Sequence, residues 1–364
     1  MHLSRRSALV FSTVSALASR FVIDGFAEDR SVTNSPITSL GLCQYCARYA
    51  RSAAQKEIPK RDLFEPKMFF EHARSLGAGG YQVAFGVLDD ATCNELRESA
   101  AQAGLWVEGI LRAPKSESDL ERFDAEMATA ARVGARAVRS TIFSGRRYEV
   151  FESLDEYKRH DKQSRRSLEL AAPIAEKHRV AFAPENHKDH RIQERVDALR
   201  AIDSEYVGAC VDTGNNFALL EDPLETAKAL APWAHAVHLK DQAVQPTEQG
   251  FLFGDIPLGQ GFIDLKGIVE VLRQARPEIH FTLELLTRDP LLVPCLEEDY
   301  WRTFPNLPAK DLARTLRTVR DHASVNLQYP SRLSLSEQVS LEKSNVTQSL
   351  SYARDHLGLV VVPS

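Results

Sequence analysis

The sequence predicts an α/β fold, a single (β/α)8 TIM barrel with a C-terminal helical extension, and three observations support it. Short β-rich runs alternate with longer helical stretches from Ile37 to Leu286, the order that implies parallel strands joined by crossover helices. Eight such units fit into this span, close to the roughly 250 residues a closed barrel uses. Four of the runs end in an ionisable side chain, at the strand ends where barrel enzymes keep their chemistry.

The predicted strands lie near 38–43, 81–85, 105–111, 136–142, 179–185, 207–212, 234–239 and 280–285. Between them, 118–133 reads as a helix because Leu120, Phe123, Met127 and Ala130 recur at helical spacing. Another helix, 222–231, opens on Asp222 as N-cap and Pro223 in the first turn. Tyr300 to Ala323 reads as a further helix covering the barrel, so the domain is assigned to 37–323. The tail, 324–364, is rich in Ser and Leu; 334–356 can form a helix, and an oligomer contact and a disordered tail are both open.

Residues 1–30 are set apart, because Ser4-Arg5-Arg6-Ser7 leads into an uncharged stretch from Ala8 to Ala18. This resembles a twin-arginine export signal, with cleavage expected after Ala18 or Ala27, and implies a periplasmic location. Beyond it no apolar run is long enough to span a bilayer. The 364 residues are 43% hydrophobic and 26% charged, the balance of a soluble globular chain. A formal net charge of −5 with both signs interspersed argues against nucleic acid and for a small-molecule partner, with a homo-oligomer also open. The five cysteines include one close pair, Cys43 and Cys46, with no second pair to complete a zinc site or a disulfide framework.

The four strand ends carry Glu185, Asp212, His238 and Glu284. Asp212 follows Glu185 by 27 positions and His238 follows Asp212 by 26, each about one βα unit, so equivalent positions on neighbouring strands converge. The interval to Glu284 is 46, and the Gly-rich segment from Gln242 to Phe262 accounts for the excess as an inserted, mobile or turn-rich rim over the mouth. Alternation along each strand supports the same residues: Thr282 and Glu284 point inward, as do His238 and Lys240, which excludes His235. Three carboxylates and an imidazole in one pocket call for a cation, so one divalent metal ion is expected on Glu185, Asp212, His238 and Glu284. Mixed oxygen and nitrogen donors favour Mn2+, with Zn2+, Mg2+ or Co2+ as alternatives.

Around this set, His187 shares the inward parity of Glu185 and is expected to bind substrate. Lys240 can steady an enolate or an anionic group, and Asn215 can hold a hydroxyl. Arg147, in the charged run Arg146-Arg147-Tyr148-Glu149, can clamp a phosphate or carboxylate.

These segments, with Glu185-Asn186-His187, Asp212-Thr213-Gly214-Asn215, His238-Leu239-Lys240-Asp241 and the Glu284 strand, resemble the xylose isomerase-like barrels, the sugar phosphate isomerases/epimerases, over roughly 37–320. The resemblance implies a sugar or polyol-derived substrate and an isomerase or epimerase. Proton transfer next to a carbonyl would pass through a metal-stabilised enediolate, with Glu185 and Glu284 as acid and base. The same enolate can expel a leaving group, so a lyase or dehydratase of a keto-sugar or keto-inositol is the alternative. A barrel nuclease fits poorly, for want of histidines at the early strand ends. An exported non-catalytic sugar-binding barrel would show a broken ligand set.

Overall fold

The structure, a computed structural model, describes residues 36–361 except Ser144. The export segment expected at 1–30 lies outside the described residues. From the N-terminal side come β1 (Gly41–Cys43), α1 (Arg48–Glu57), α2 (Pro66–Ser75), β2 (Gly80–Val83), α3 (Asp90–Ala103) and β3 (Trp106–Ile110). Then follow α4 (Leu120–Val133), β4 (Ala137–Ser140), α5 (Arg147–Val150), α6 (Leu154–His178), β5 (Ala181–Pro184), α7 (Ile192–Ile202), β6 (Ala209–Asp212), α8 (Pro223–Leu230) and β7 (Ala234–Leu239). An antiparallel pair, β8 (Asp241–Thr247) and β9 (Gly250–Ile256), precedes α9 (Leu265–Ala275) and β10 (Thr282–Leu283). The chain continues through β11 (Leu291–Val293), α10 (Ala309–Asp321) and α11 (Leu335–His356).

Eight strands pair in parallel in the order β5-β4-β3-β2-β1-β10-β7-β6. The remaining gap is spanned by bridges from Phe182 to Val207 and from Glu185 to Cys210, which bring β5 to β6 and close the barrel. The fold is the single (β/α)8 barrel expected. Its helices start and stop where local chemistry dictates. Asp89 accepts the Thr92 N–H at 2.9 Å to open α3, and Gly104 ends it in the left-handed conformation. Asp222 accepts from Leu224 and Glu225 to open α8, with Pro223 in its first turn.

Apolar residues of opposite parity serve two cores. Tyr81, Val107, Val138, Phe182, Val211 and Val237 face the helices in the main core. Ala137, Ala181, Ala183, Cys210 and Ala236 fill the barrel interior. These small interior residues form the floor on which the larger polar side chains stand.

Two expectations are revised. The 242–262 segment is turn-rich only at its glycine end, 258–263; before it, β8 and β9 join β11 in a three-stranded antiparallel sheet packed through Phe217, Phe251 and Phe253. Its glycine turn is tied to the buried Asp241 carboxylate, which accepts N–H groups from Gly259 at 2.8 Å and Gly261 at 2.9 Å. The helix expected from Tyr300 begins only at Ala309, because Pro305 and Pro308 interrupt it. The tail, in contrast, is helical in α11 and buries Val346, Leu350 and Ala353. It docks on the first unit, where Glu342 accepts the backbone N–H groups of Tyr49 and Ala50, both at 2.9 Å.

Candidate functional site

The barrel interior brings the four strand-end residues together. Ligand atoms of Glu185, Asp212, His238 and Glu284 all lie within 4.8 Å of one another, and all four residues are buried. Glu185 sits one residue past β5, Asp212 ends β6, His238 lies within β7, and Glu284 follows β10. Asn186 fixes the spacing of the first two: its side chain donates to the Asp212 carbonyl at 2.9 Å and accepts the Asp212 N–H at 2.8 Å.

Two cations share the pocket with these carboxylates. Arg139 of β4 donates through Nε to Glu185 Oε2 at 2.7 Å and has Nη2 3.8 Å from Glu284 Oε1. Lys240 Nζ stands 2.9 Å from Asp212 Oδ2 and 2.7 Å from Glu284 Oε2. The repulsion inferred from sequence is therefore relieved in part by the chain itself. Burial works to raise the pKa of Glu185 and Glu284, but Arg139 beside Glu185, and His238 and Lys240 beside Glu284, outweigh it and hold both carboxyls well below the ordinary range. Each is an ionised base at neutral pH.

A place for one more positive charge remains. His238 Nε2 lies 2.8 Å from Gln82 Oε1, and the Gln82 amide donates to Glu108 Oε2 at 2.9 Å, so Gln82 presents an acceptor and His238 Nε2 carries the proton. His238 Nδ1 then faces Glu284 Oε2 at 3.2 Å and Glu185 Oε2 at 3.5 Å with no hydrogen-bond partner. Asp212 Oδ2 also lacks one, its contact with Lys240 being an ion pair out of hydrogen-bonding geometry. Burial opposes a charged His238 ring, yet Cys210, Glu284 and Glu185 around it raise its pKa well above the usual value. A proton or a metal ion can fill this position, and three carboxylates with one imidazole fit a divalent ion.

The flanking residues divide. Asn215 joins the site: its amide donates to Glu185 Oε1 at 2.7 Å and its N–H to Asp212 Oδ1 at 2.8 Å. His187 is half-buried, its buried Nδ1 is unpartnered, and burial lowers its pKa to about 4, so the ring is neutral. Arg147, expected to clamp an anion, is spent elsewhere. Its guanidinium donates to Thr303 Oγ1 at 3.1 Å, the Thr303 carbonyl at 2.6 Å and Glu194 at 2.8 Å, and stacks on Tyr157 and Phe304. It braces α5 and α7 against the 298–304 turn. The paired cysteines are free: the Cys46 thiol donates to the Leu283 carbonyl at 3.2 Å, and burial raises the Cys43 thiol to about 12.

Gln82, Glu108, Arg139 and Lys188 belong to the site's surroundings and were missed by strand-end reasoning. For the first three the missing signal was available, since each has the inward parity of its strand.

The sequence matches the xylose isomerase-like TIM barrel family over residues 70–319. A curated relative, 3-oxo-isoapionate decarboxylase of Pectobacterium atrosepticum, is 25% identical over 239 residues, covering 64% of this chain and 82% of the relative. Among solved structures, a D-psicose 3-epimerase superposes with a TM-score of 0.53 at 12% identity, covering 82% of this chain and 95% of that one. An L-ribulose 3-epimerase gives a TM-score of 0.52 at 16% identity, covering 89% and 98%. At such identities the structures establish a shared fold. With the family match spanning most of the chain, this protein belongs to the xylose isomerase-like TIM barrel family.

Proposed function

We propose that this sugar-modifying enzyme is a metal-dependent isomerase or epimerase that moves a proton on the carbon next to a carbonyl. The observation that carries the reading is the pair of buried, ionised carboxylates, Glu185 and Glu284, meeting at the unpartnered Nδ1 of His238. Glu185, Asp212, His238 and Glu284 would hold one divalent ion, Mn2+ being favoured by the donor set. When bound, that ion supplies Lewis-acid polarisation of a carbonyl and its neighbouring hydroxyl.

The chain's own residues do the rest. Glu185 is fixed on one oxygen by Arg139 and on the other by Asn215, which aims it as a base of set orientation. The carbon would be reprotonated by Glu284 in its protonated form, which donates its proton and returns to the carboxylate that Lys240 faces at 2.7 Å. Neutral His187 offers a hydrogen bond to a substrate oxygen.

A second reading has its own support. The sequence relative is named as a decarboxylase of a 3-oxo sugar acid, and loss of carbon dioxide from such a substrate leaves an enolate that the same cations would stabilise. Incubation of the Mn2+-loaded protein in deuterated water with ketoses and with 3-oxo sugar acids, followed by NMR, separates the two. Deuterium at the carbon next to the carbonyl without loss of mass supports the first reading; carbon dioxide release supports the second. Failure of the purified protein to retain any divalent ion, with Glu284→Gln leaving turnover intact, would sink both. Export to the periplasm remains a proposal on Arg5 and Arg6, checked by cell fractionation.

A further inference from the structure

Cys43 reaches the layer of the strand-end residues, and the barrel register places it there. Leu42 of β1 pairs with Leu283 of β10, and both pack in the main core, so the residues that follow, Cys43 and Glu284, come side by side on neighbouring strands. On its other flank Cys43 pairs with Gln82, the residue that holds His238 Nε2. Ligand atoms of Cys43, His238 and Glu284 lie within 4.8 Å of one another, and all three residues are buried. Two members are shared with the set of Glu185, Asp212, His238 and Glu284; the third is a sulfur.

A buried free cysteine often does no more than fill space, and its neighbour in sequence shows a purely structural use. Cys46 donates to the Leu283 carbonyl at 3.2 Å and accepts the Leu285 N–H at 3.2 Å, which ties the chain on both sides of Glu284 to the turn after β1. Cys210 packs among the small alanines of the barrel floor. Cys43 is set apart from both by the histidine and the carboxylate it meets.

Zinc bonds of about 2.0–2.3 Å bring tetrahedral ligand atoms to roughly 3–4 Å from one another, so small side-chain movements close this set around an ion. The thiol is neutral without one, and its proton passes to solvent as the metal–sulfur bond forms. Within the set, one thiolate and one carboxylate then balance the two charges of the ion, while Glu185 keeps Arg139 and Asp212 keeps Lys240. Thiolate sulfur is soft and selects Zn2+, whereas the set with three carboxylates is oxygen-rich and suits Mn2+.

We propose that Cys43, His238 and Glu284 form a second, thiolate-bearing metal set that overlaps the first and takes thiophilic divalent ions such as Zn2+. The proposal rests on the proposed function for His238 and Glu284 as metal ligands and adds the sulfur that discriminates between ions. Because both sets use His238 and Glu284, they hold one ion at a time, and the identity of that ion decides which set it occupies.

The test is absorption spectroscopy of the full chain titrated with Co2+, a spectroscopic substitute for Zn2+, alongside calorimetry with Zn2+ and with Mn2+. The wild type is expected to develop the near-ultraviolet band of sulfur-to-cobalt charge transfer. Cys43→Ser should lose that band and Cys210→Ala should keep it. Cys43→Ser should also weaken Zn2+ binding about tenfold or more and Mn2+ binding by less than about twofold. Cys43→Ala, which leaves no buried hydroxyl unpaired, takes its place if Cys43→Ser does not fold. No band in the wild type, a band that survives the loss of Cys43, or equal losses for Zn2+ and Mn2+ would overturn the proposal. Mn2+ binding without the band leaves the functional reading intact and removes the thiolate; the band without Mn2+ binding does the reverse.

Discussion

Gln82 accepts the Nε2 proton of His238 at 2.8 Å, and this contact decides which nitrogen faces the carboxylates. The orientation of Gln82 is itself set, because its amide donates to Glu108 at 2.9 Å and Glu108 is also reached by Thr282 at 3.3 Å. A glutamine on β2 thus prepares the Nδ1 lone pair of a histidine on β7. Outer partners of this kind are typically worth about 10–100-fold in metal affinity. Gln82→Met is expected to weaken Mn2+ binding by that factor, measured by calorimetry. Unchanged affinity in a folded variant would show that the ring needs no such support.

Glu342 gives a pH dependence remote from the site. Burial raises its pKa to about 7, even though the N–H groups of Tyr49 and Ala50 favour the ionised form. Between the ordinary carboxyl value of 4.5 and about 7, the folded chain holds a proton that the unfolded chain releases. This contribution to stability is fully present below the lower value and is lost as pH rises through the upper one. Its slope approaches about 1.4 kcal/mol per pH unit. Glu342→Gln should flatten the wild-type decline across that window in urea denaturation; an unaltered pH profile would place the titration elsewhere.

The barrel was legible because each unit declares itself locally: β-rich run, capped helix, glycine or turn. Strand parity was equally legible, and it groups Glu185, Asp212 and His238 with the interior residues Ala183, Cys210 and Ala236. The same alternation marks Gln82, Glu108 and Arg139 on β2, β3 and β4. Attention to acids at the last position of a strand passed over them. Lys188 is of another kind, since a loop residue carries no period and its place beside Asn215 depends on backbone turns. Arg147 failed for a related reason: a charged run after a strand does not reveal that Thr303, more than 150 residues later, will take its donors.

Gly259 tests how firmly the tail is docked. It adopts φ 84°, and a Cβ there would run into the Tyr352 ring of α11. Gly259→Ala should cost about 1–3 kcal/mol by denaturant unfolding, from backbone strain and overlap together. Adding Tyr352→Ala should recover the overlap and leave the strain, so the double variant should be more stable than the sum of the singles predicts. Strict additivity would mean that the ring and the turn do not press on one another.

Arg139 separates the charge the chain provides from the charge it must import. Its guanidinium is buried against Glu185 and close to Glu284, so Arg139→Met leaves a buried carboxylate without its main partner. Breaking a buried pair on one side costs about 3–5 kcal/mol. That cost should appear in full when the metal-free protein is unfolded in denaturant. With a saturating divalent ion, Glu185 regains an opposite charge, and ligand binding to the folded state adds its own stabilisation. The variant should therefore gain more stability from Mn2+ than the wild type does. If Mn2+ stabilises both proteins equally, or neither, Glu185 does not meet the ion, and the pocket is neutralised by Arg139 and Lys240 alone.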